Sequence, residues 1–167
     1  MSPKVSIIMG STSDLPVMEK AARVLNDFEV PFQLLALSAH RTPAEVENFS
    51  KAAESQGLEV IIAAAGMAAH LPGVIAANTI VPVIGVPVSS SLQGVDALLS
   101  IVQMPPGIPV ASVGIDAGMN AGLLAVQVLS LKDNNLKEKL RTYKSNLKDK
   151  IVKANEELKK VEYKFRV

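Results

Sequence analysis

A chain of 167 residues carries 17 Lys and Arg against 16 Asp and Glu, a formal net charge of +1, so its overall balance draws it neither to nucleic acid nor to an anionic membrane. It has no cysteine, which excludes disulfides, thiolate zinc sites and cysteine nucleophiles, and its two histidines are too few for a histidine-rich metal cage. Gly, Pro, Ser and Asn interrupt every apolar run before the roughly 18 residues of a membrane span, and Met1-Ser2-Pro3-Lys4 offers no signal-peptide core, so a cytoplasmic protein is expected.

Short apolar runs alternate with helical patterns, which reads as βαβ repetition and a parallel sheet. In chain order the expected elements are a strand at Lys4–Met9, a helix at Ser13–Asn26, a strand at Phe32–Leu37 and a helix at Pro43–Gln56. A strand at Glu59–Ala64, a helix at Ala68–Asn78, a strand at Val81–Val86 and a helix at Leu92–Val102 follow. Val110–Ile115 gives a fifth strand and Met119–Leu131 a fifth helix. The second to fifth strands show little polar alternation, as expected where both sheet faces are covered. Asp14 and Thr42-Pro43 suit helix beginnings, and Gly57 stands where the residue after a helix belongs.

The last segment, 134–163, places Leu136, Leu140, Tyr143, Leu147, Ile151, Ala154, Leu158 and Val161 at gaps of three and four, one amphipathic helix of about 45 Å. A body of about 130 residues is only about 36 Å wide, so the helix is expected to overhang it and pack on a neighbouring subunit. Residues 132–167 hold 12 Lys and Arg against 6 Asp and Glu. Between Ile61 and Leu131, by contrast, only Asp96 and Asp116 are charged. Helices without a charged face predict that other subunits cover the middle of the chain. The whole reads as a single domain, 1–167, with a body at 1–131 and a helical arm at 132–167.

In an open parallel sheet, the loops beyond the carboxyl ends of the strands line one crevice. Both histidines fall there. The first such loop, Gly10-Ser11-Thr12-Ser13-Asp14, combines small residues with a helix start and the hydroxyls of Ser11 and Ser13; a cap and a ligand contact fit it equally. It is neither a P-loop nor a GxGxxG fingerprint. The second loop sets His40, able to give and take a proton near neutrality, beside Arg41, able to hold phosphate bidentately. The third, Gly66 to Gly73, has almost no bulk besides His70, so Gly66, Ala68 and Ala69 leave room for a flat ligand. Ser89, Ser90 and Ser91 supply hydroxyls in a fourth, and the turn Gln103–Gly107 is placed to cover the site. No Gly-x-Ser-x-Gly elbow or carboxylate cluster is present.

Gly-Ser-Thr-Ser-Asp (10–14), Ser-Ala-His-Arg-Thr-Pro (38–43), Ala-Gly-Met-Ala-Ala-His-Leu-Pro-Gly (65–73), Gly-Val-Pro-Val (85–88), Ser-Ile-Val-Gln-Met-Pro (100–105) and Asn-Ala-Gly-Leu-Leu-Ala (120–125) closely resemble the class I PurE family. That resemblance implies a three-layer α/β/α, flavodoxin-like parallel sheet with a long C-terminal helix, assembled as a homo-octamer. It implies an N5-carboxyaminoimidazole ribonucleotide mutase of de novo purine synthesis, an isomerase with no metal and no organic cofactor. It further implies substrate binding by Ser11, Asp14 and Arg41, acid/base work by His40, and His70 and Ser38 as active-site neighbours. Class II relatives, which carboxylate aminoimidazole ribonucleotide with CO2, look different at the third loop. That direct carboxylation is the nearest alternative, and a non-enzymatic flavodoxin-like carrier of FMN or another nucleotide is the next.

Overall fold

The computed structural model describes residues 2–167. Five parallel strands stand in the order β2-β1-β3-β4-β5, with β1 at Val5–Met9, β2 at Phe32–Ala36, β3 at Val60–Gly66, β4 at Val83–Val88 and β5 at Ala111–Ser112. This is the flavodoxin-type doubly wound order. Successive side chains leave opposite faces of a strand, so Ile7 joins one core and Ile8 the other. Helices α1 (Leu15–Asp27) and α5 (Gly118–Leu129) cover the first face. The second is covered by α2 (Pro43–Ala52), α3 (Leu71–Ala76) and α4 (Val95–Val102), completing three layers. α1 and α5 approach so closely that a Cβ on Gly122 would stand 2.9 Å from the Ala21 carbonyl oxygen.

β3 and β4 are buried along nearly their whole length, as their composition foretold. β2 is not: it is an edge strand with Leu34 and Ala36 exposed. β5 shrinks from the expected six residues to Ala111–Ser112, although Val113 N still donates to the Gly85 carbonyl. β4 runs two residues further than expected, to Val88, carrying Pro87 at its end where a missing N–H is tolerated. α3 begins at Leu71 rather than Ala68 because Met67 and Ala69 adopt left-handed backbone. Leu92, Gln93 and Gly94 do the same before α4, which therefore begins at Val95. The turn 103–107 does not line the site; Met104 packs at Gly73, where a Cβ would meet its sulfur at 2.5 Å.

The last helix, α6, spans Asn134–Leu158 and stops short of the expected Tyr163. Asp133 caps it by accepting from Asn135 N and Leu136 N, at 3.0 and 3.1 Å. Leu136 and Leu140 enter the α1/α5 core, and Tyr143 meets Phe28 with ring centroids 5.8 Å apart. Beyond Tyr143 every helix residue but Ala154 is exposed, including Leu147, Ile151, Val152 and Leu158. On α4, Val95, Leu99 and Val102 form an outward apolar stripe at i, i+4 and i+7. No helix among the described residues is long and apolar enough to cross a membrane.

Candidate active site

Loops after β1, β2, β3 and β4 enclose a cavity of about 730 Å³ at the carboxyl edge of the sheet. Ser11, Ser13, Asp14, Ser38, His40, Arg41, Gly66, Ala68 and His70, each singled out from sequence, all line it. A volume of that order holds a nucleotide-sized ligand. The first loop closes as a capping box. The Ser11 hydroxyl accepts from Ser13 N at 3.3 Å, and the Asp14 carboxylate accepts from Ser11 N at 3.2 Å. The loop is thus a cap, with Ser11 as the capping hydroxyl and Asp14 closing the box. The Ser13 hydroxyl donates to Ser11 Oγ at 2.9 Å and remains exposed at the cavity.

The second loop is shaped by Thr42, whose hydroxyl accepts from Ser38 N at 2.9 Å and donates to the Ser38 carbonyl at 3.1 Å. With Pro43 at the first position of α2, this turn presents residues 38–41 to the cavity. Arg41 reaches back across the sheet edge. Its Nη2 donates to the Gly10 carbonyl at 2.6 Å and its Nε to Ser38 Oγ at 3.3 Å, joining the first two loops. A guanidinium has five donors, so the side chain keeps capacity for an anion.

His40 and His70 come from loops 30 residues apart yet meet edge to face, with Nε2 of His40 2.7 Å from Nδ1 of His70 and the rings inclined at 76°. Facing nitrogens at that distance form one hydrogen bond, in which one ring donates and the other accepts. Nearby, burial lifts the Asp14 carboxyl above its ordinary range, with the Ser11 amide, the Ser13 hydroxyl and the Arg41 charge pulling the other way.

The third loop supplies space. A Cβ on Gly66 would stand 3.2 Å from the Val88 carbonyl oxygen and 3.4 Å from Ser90 Cβ, so any larger residue would press on the fourth wall. Of the three serines expected to supply hydroxyls, Ser89 and Ser90 line the cavity and Ser91 stands outside it. Sequence reasoning missed Asp116 altogether, whose Oδ1 accepts from Ser89 N at 2.9 Å. The only available signal was its isolation as one of two charges in a 71-residue stretch, 61–131. Among the described residues no group of three or more His, Asp and Glu is placed to hold a metal ion.

Topology and site together define a flavodoxin-like α/β protein with an arginine, an imidazole pair and a small-residue cleft on one rim. The chain belongs to the AIR carboxylase family, whose model matches residues 4–150. A Pyrococcus abyssi protein named N5-carboxyaminoimidazole ribonucleotide mutase is 61% identical over 147 residues, covering 87% of this chain and 84% of its own. A Schizosaccharomyces pombe phosphoribosylaminoimidazole carboxylase is 50% identical over 164 residues, 98% of this chain but 30% of that protein. The crystal structure of Treponema denticola PurE superposes with a TM-score of 0.84 at 32% identity, covering 95% of this chain and 99% of that one.

Proposed function

We propose that this chain is an isomerase of purine biosynthesis that converts N5-carboxyaminoimidazole ribonucleotide to 4-carboxyaminoimidazole ribonucleotide. The observation that carries the reading is the His40–His70 contact of 2.7 Å inside a cavity that also holds Arg41 and a cleft of small residues. It agrees with the mutase named at 61% identity. Arg41, Ser11 and Ser13 hold the 5′-phosphate, and Asp14 accepts from the ribose hydroxyls. Ser38 orients Arg41, and the cleft at Gly66 and Ala68 takes the carboxyl group.

His40 delivers a proton to the exocyclic nitrogen as the carbamate C–N bond breaks, releasing CO2 and an aminoimidazole. That ring is an enamine, nucleophilic at C4, so the released carbon needs no electron sink. C4 attacks the trapped CO2, and His40 removes the C4 proton to restore the aromatic ring, ending protonated as it began. His70, hydrogen-bonded to His40, orients the imidazole and buffers its proton. The chemistry is contained within a site that keeps CO2 from escaping.

The same proposal takes the chain as one domain in a cytoplasmic homo-octamer, as the resemblance to PurE implies. The outward stripes of α4 and α6 support burial between subunits. Light scattering should give about eight times the 17.7 kDa chain mass.

A second reading is direct carboxylation of aminoimidazole ribonucleotide, favoured by the name of the S. pombe relative, although this chain matches less than a third of that protein. A spectroscopic assay separates the two. The mutase forms 4-carboxyaminoimidazole ribonucleotide from the N5-carboxylated nucleotide without added bicarbonate. A chain that acts only on aminoimidazole ribonucleotide plus CO2 is the carboxylase instead.

A further inference from the structure

Asp116 sits beside the cavity without lining it. It occupies the turn between β5 and α5 with left-handed backbone, φ +56°, a conformation that Asp tolerates better than most residues. Its Oδ1 accepts from Ser89 N at 2.9 Å, and its own N–H donates to the Pro87 carbonyl at 2.9 Å. The two bonds straddle Val88 and tie the end of β4 to the last turn before α5. From the other side Gly94, at φ +83°, lies flat on Ser89, where a Cβ would come within 3.1 Å of Ser89 Cα. Ser89 is thus held between a carboxylate and a glycine. The residues flanking it, Val88 and Ser90, form the wall against Gly66, so close that an added methyl there would meet them at 3.2 and 3.4 Å.

A carboxylate accepting a backbone N–H forms one of the stronger hydrogen bonds available to a loop. This one acts where β4 has left the ladder and Ser89 has become exposed. We propose that Asp116 is a positioning residue that keeps the Val88–Ser90 wall closed on Gly66, so that CO2 released from the carbamate stays in the cavity until C4 captures it. This rests on the mutase reading above. After the C–N bond breaks and the exocyclic nitrogen takes its proton, two fates compete. C4 bonds to CO2 and surrenders its proton to His40, or CO2 diffuses out and free aminoimidazole ribonucleotide is released. Asp116 biases that competition without touching either reactant.

The test uses the full-length protein and N5-carboxylated nucleotide with 14C in its carboxyl group, scoring label released as CO2 against label in product, corrected for spontaneous decay. Asp116→Gly keeps the left-handed turn at no steric cost but loses the acceptor; Asp116→Asn keeps an acceptor oxygen. The Gly variant should raise CO2 released per product formed about tenfold, the scale of one lost hydrogen bond to a charged group, and the Asn variant should stay within about twofold of the parent. A defect that merely lowered the folded fraction would reduce both labels together and leave their ratio unmoved. The proposal is overturned by a folded Gly variant with the parent's ratio, by an Asn variant leaking as much as Gly, or by a Gly variant that cannot fold, which makes the carboxylate structural. Parent protein that forms no product overturns the mutase reading itself, a separate result.

Discussion

The rim of loops above the sheet and the outer half of α6 hold two of this chain's polar concentrations, and one chain satisfies only the first. At the rim the most distinctive polar side chains find partners inside the chain. Arg41 reaches Gly10 and Ser38, His40 meets His70, and Asp14 closes on Ser11. Along α6 beyond Tyr143 the recorded side-chain ion pair is local, Lys159 with Glu156, while Leu147, Ile151, Val152 and Leu158 face solvent. Exposed local pairs of this kind contribute little to stability. Under the proposed function the first region holds a small molecule and the second meets another subunit.

The sharpest way to separate the two is to damage each and see what fails. His40→Asn removes the proposed proton carrier from an exposed position, so turnover should fall by about 10³-fold or more while the melting temperature and assembly mass stay put. Near-normal turnover removes His40 from the mechanism. Leu140→Ala, in contrast, hollows a core position and should cost about 2–5 kcal/mol in chemical denaturation with kcat per folded chain unchanged. Ile151→Ala, 66% exposed in one chain, should cost only a few tenths in dilute protein. In the assembled protein it should cost more, in a concentration-dependent way. Equal effects of Ile151→Ala at all concentrations would show that nothing covers the outer half of α6.

The same division explains which parts of the molecule could be read from its residues. The rim was legible because each of its loops announces itself after an apolar run, and because His40, Arg41 and His70 are chemically distinctive. β2 misled because its apolar run, Phe32–Leu37, is one that a covered strand would also have; its place at the sheet edge depends on strand order, which composition does not encode. The start of α3 was misplaced because Met67 and Ala69 carry no sign of left-handed backbone, unlike Gly94 or Gly57. Asp116 was invisible as a neighbour of the site because its partner is a backbone N–H 27 residues away. Side-chain chemistry is written in a sequence more plainly than long-range contacts to the main chain.

Arg41→Lys probes the link between the first two loops. An ammonium keeps the charge but loses the planar fork that reaches Gly10 and Ser38 while holding an anion. KM for the nucleotide should rise about 10–100-fold, with kcat changed much less, as for a contact made equally in ground and transition states. A drop in kcat with KM unchanged would place Arg41 at the reacting atoms rather than at the phosphate.

Asp14 gives the smallest and most specific effect. Burial raises its pKa in the folded protein above the ordinary value of 3.8, so the folded chain binds that proton more tightly than the unfolded one. The stability this contributes is fully present below 3.8 and is lost as pH rises through the raised value, so at neutral pH the native fold carries a desolvated carboxylate at a cost. Asp14→Asn removes the charge while an amide oxygen still accepts from Ser11 N, preserving the capping box. The variant should therefore melt about 1–3 °C above the parent at pH 7, with the gap closing as pH falls toward 4. Its affinity for the ribonucleotide should nevertheless weaken, because the carboxylate is the stronger acceptor for ribose hydroxyls. A gap that is constant with pH would mean the Asp14 charge is not what the fold pays for. Under the proposed function, a carboxylate that costs stability in exchange for binding separates the rim from α6, whose exposed apolar residues wait only for the neighbour proposed to cover them.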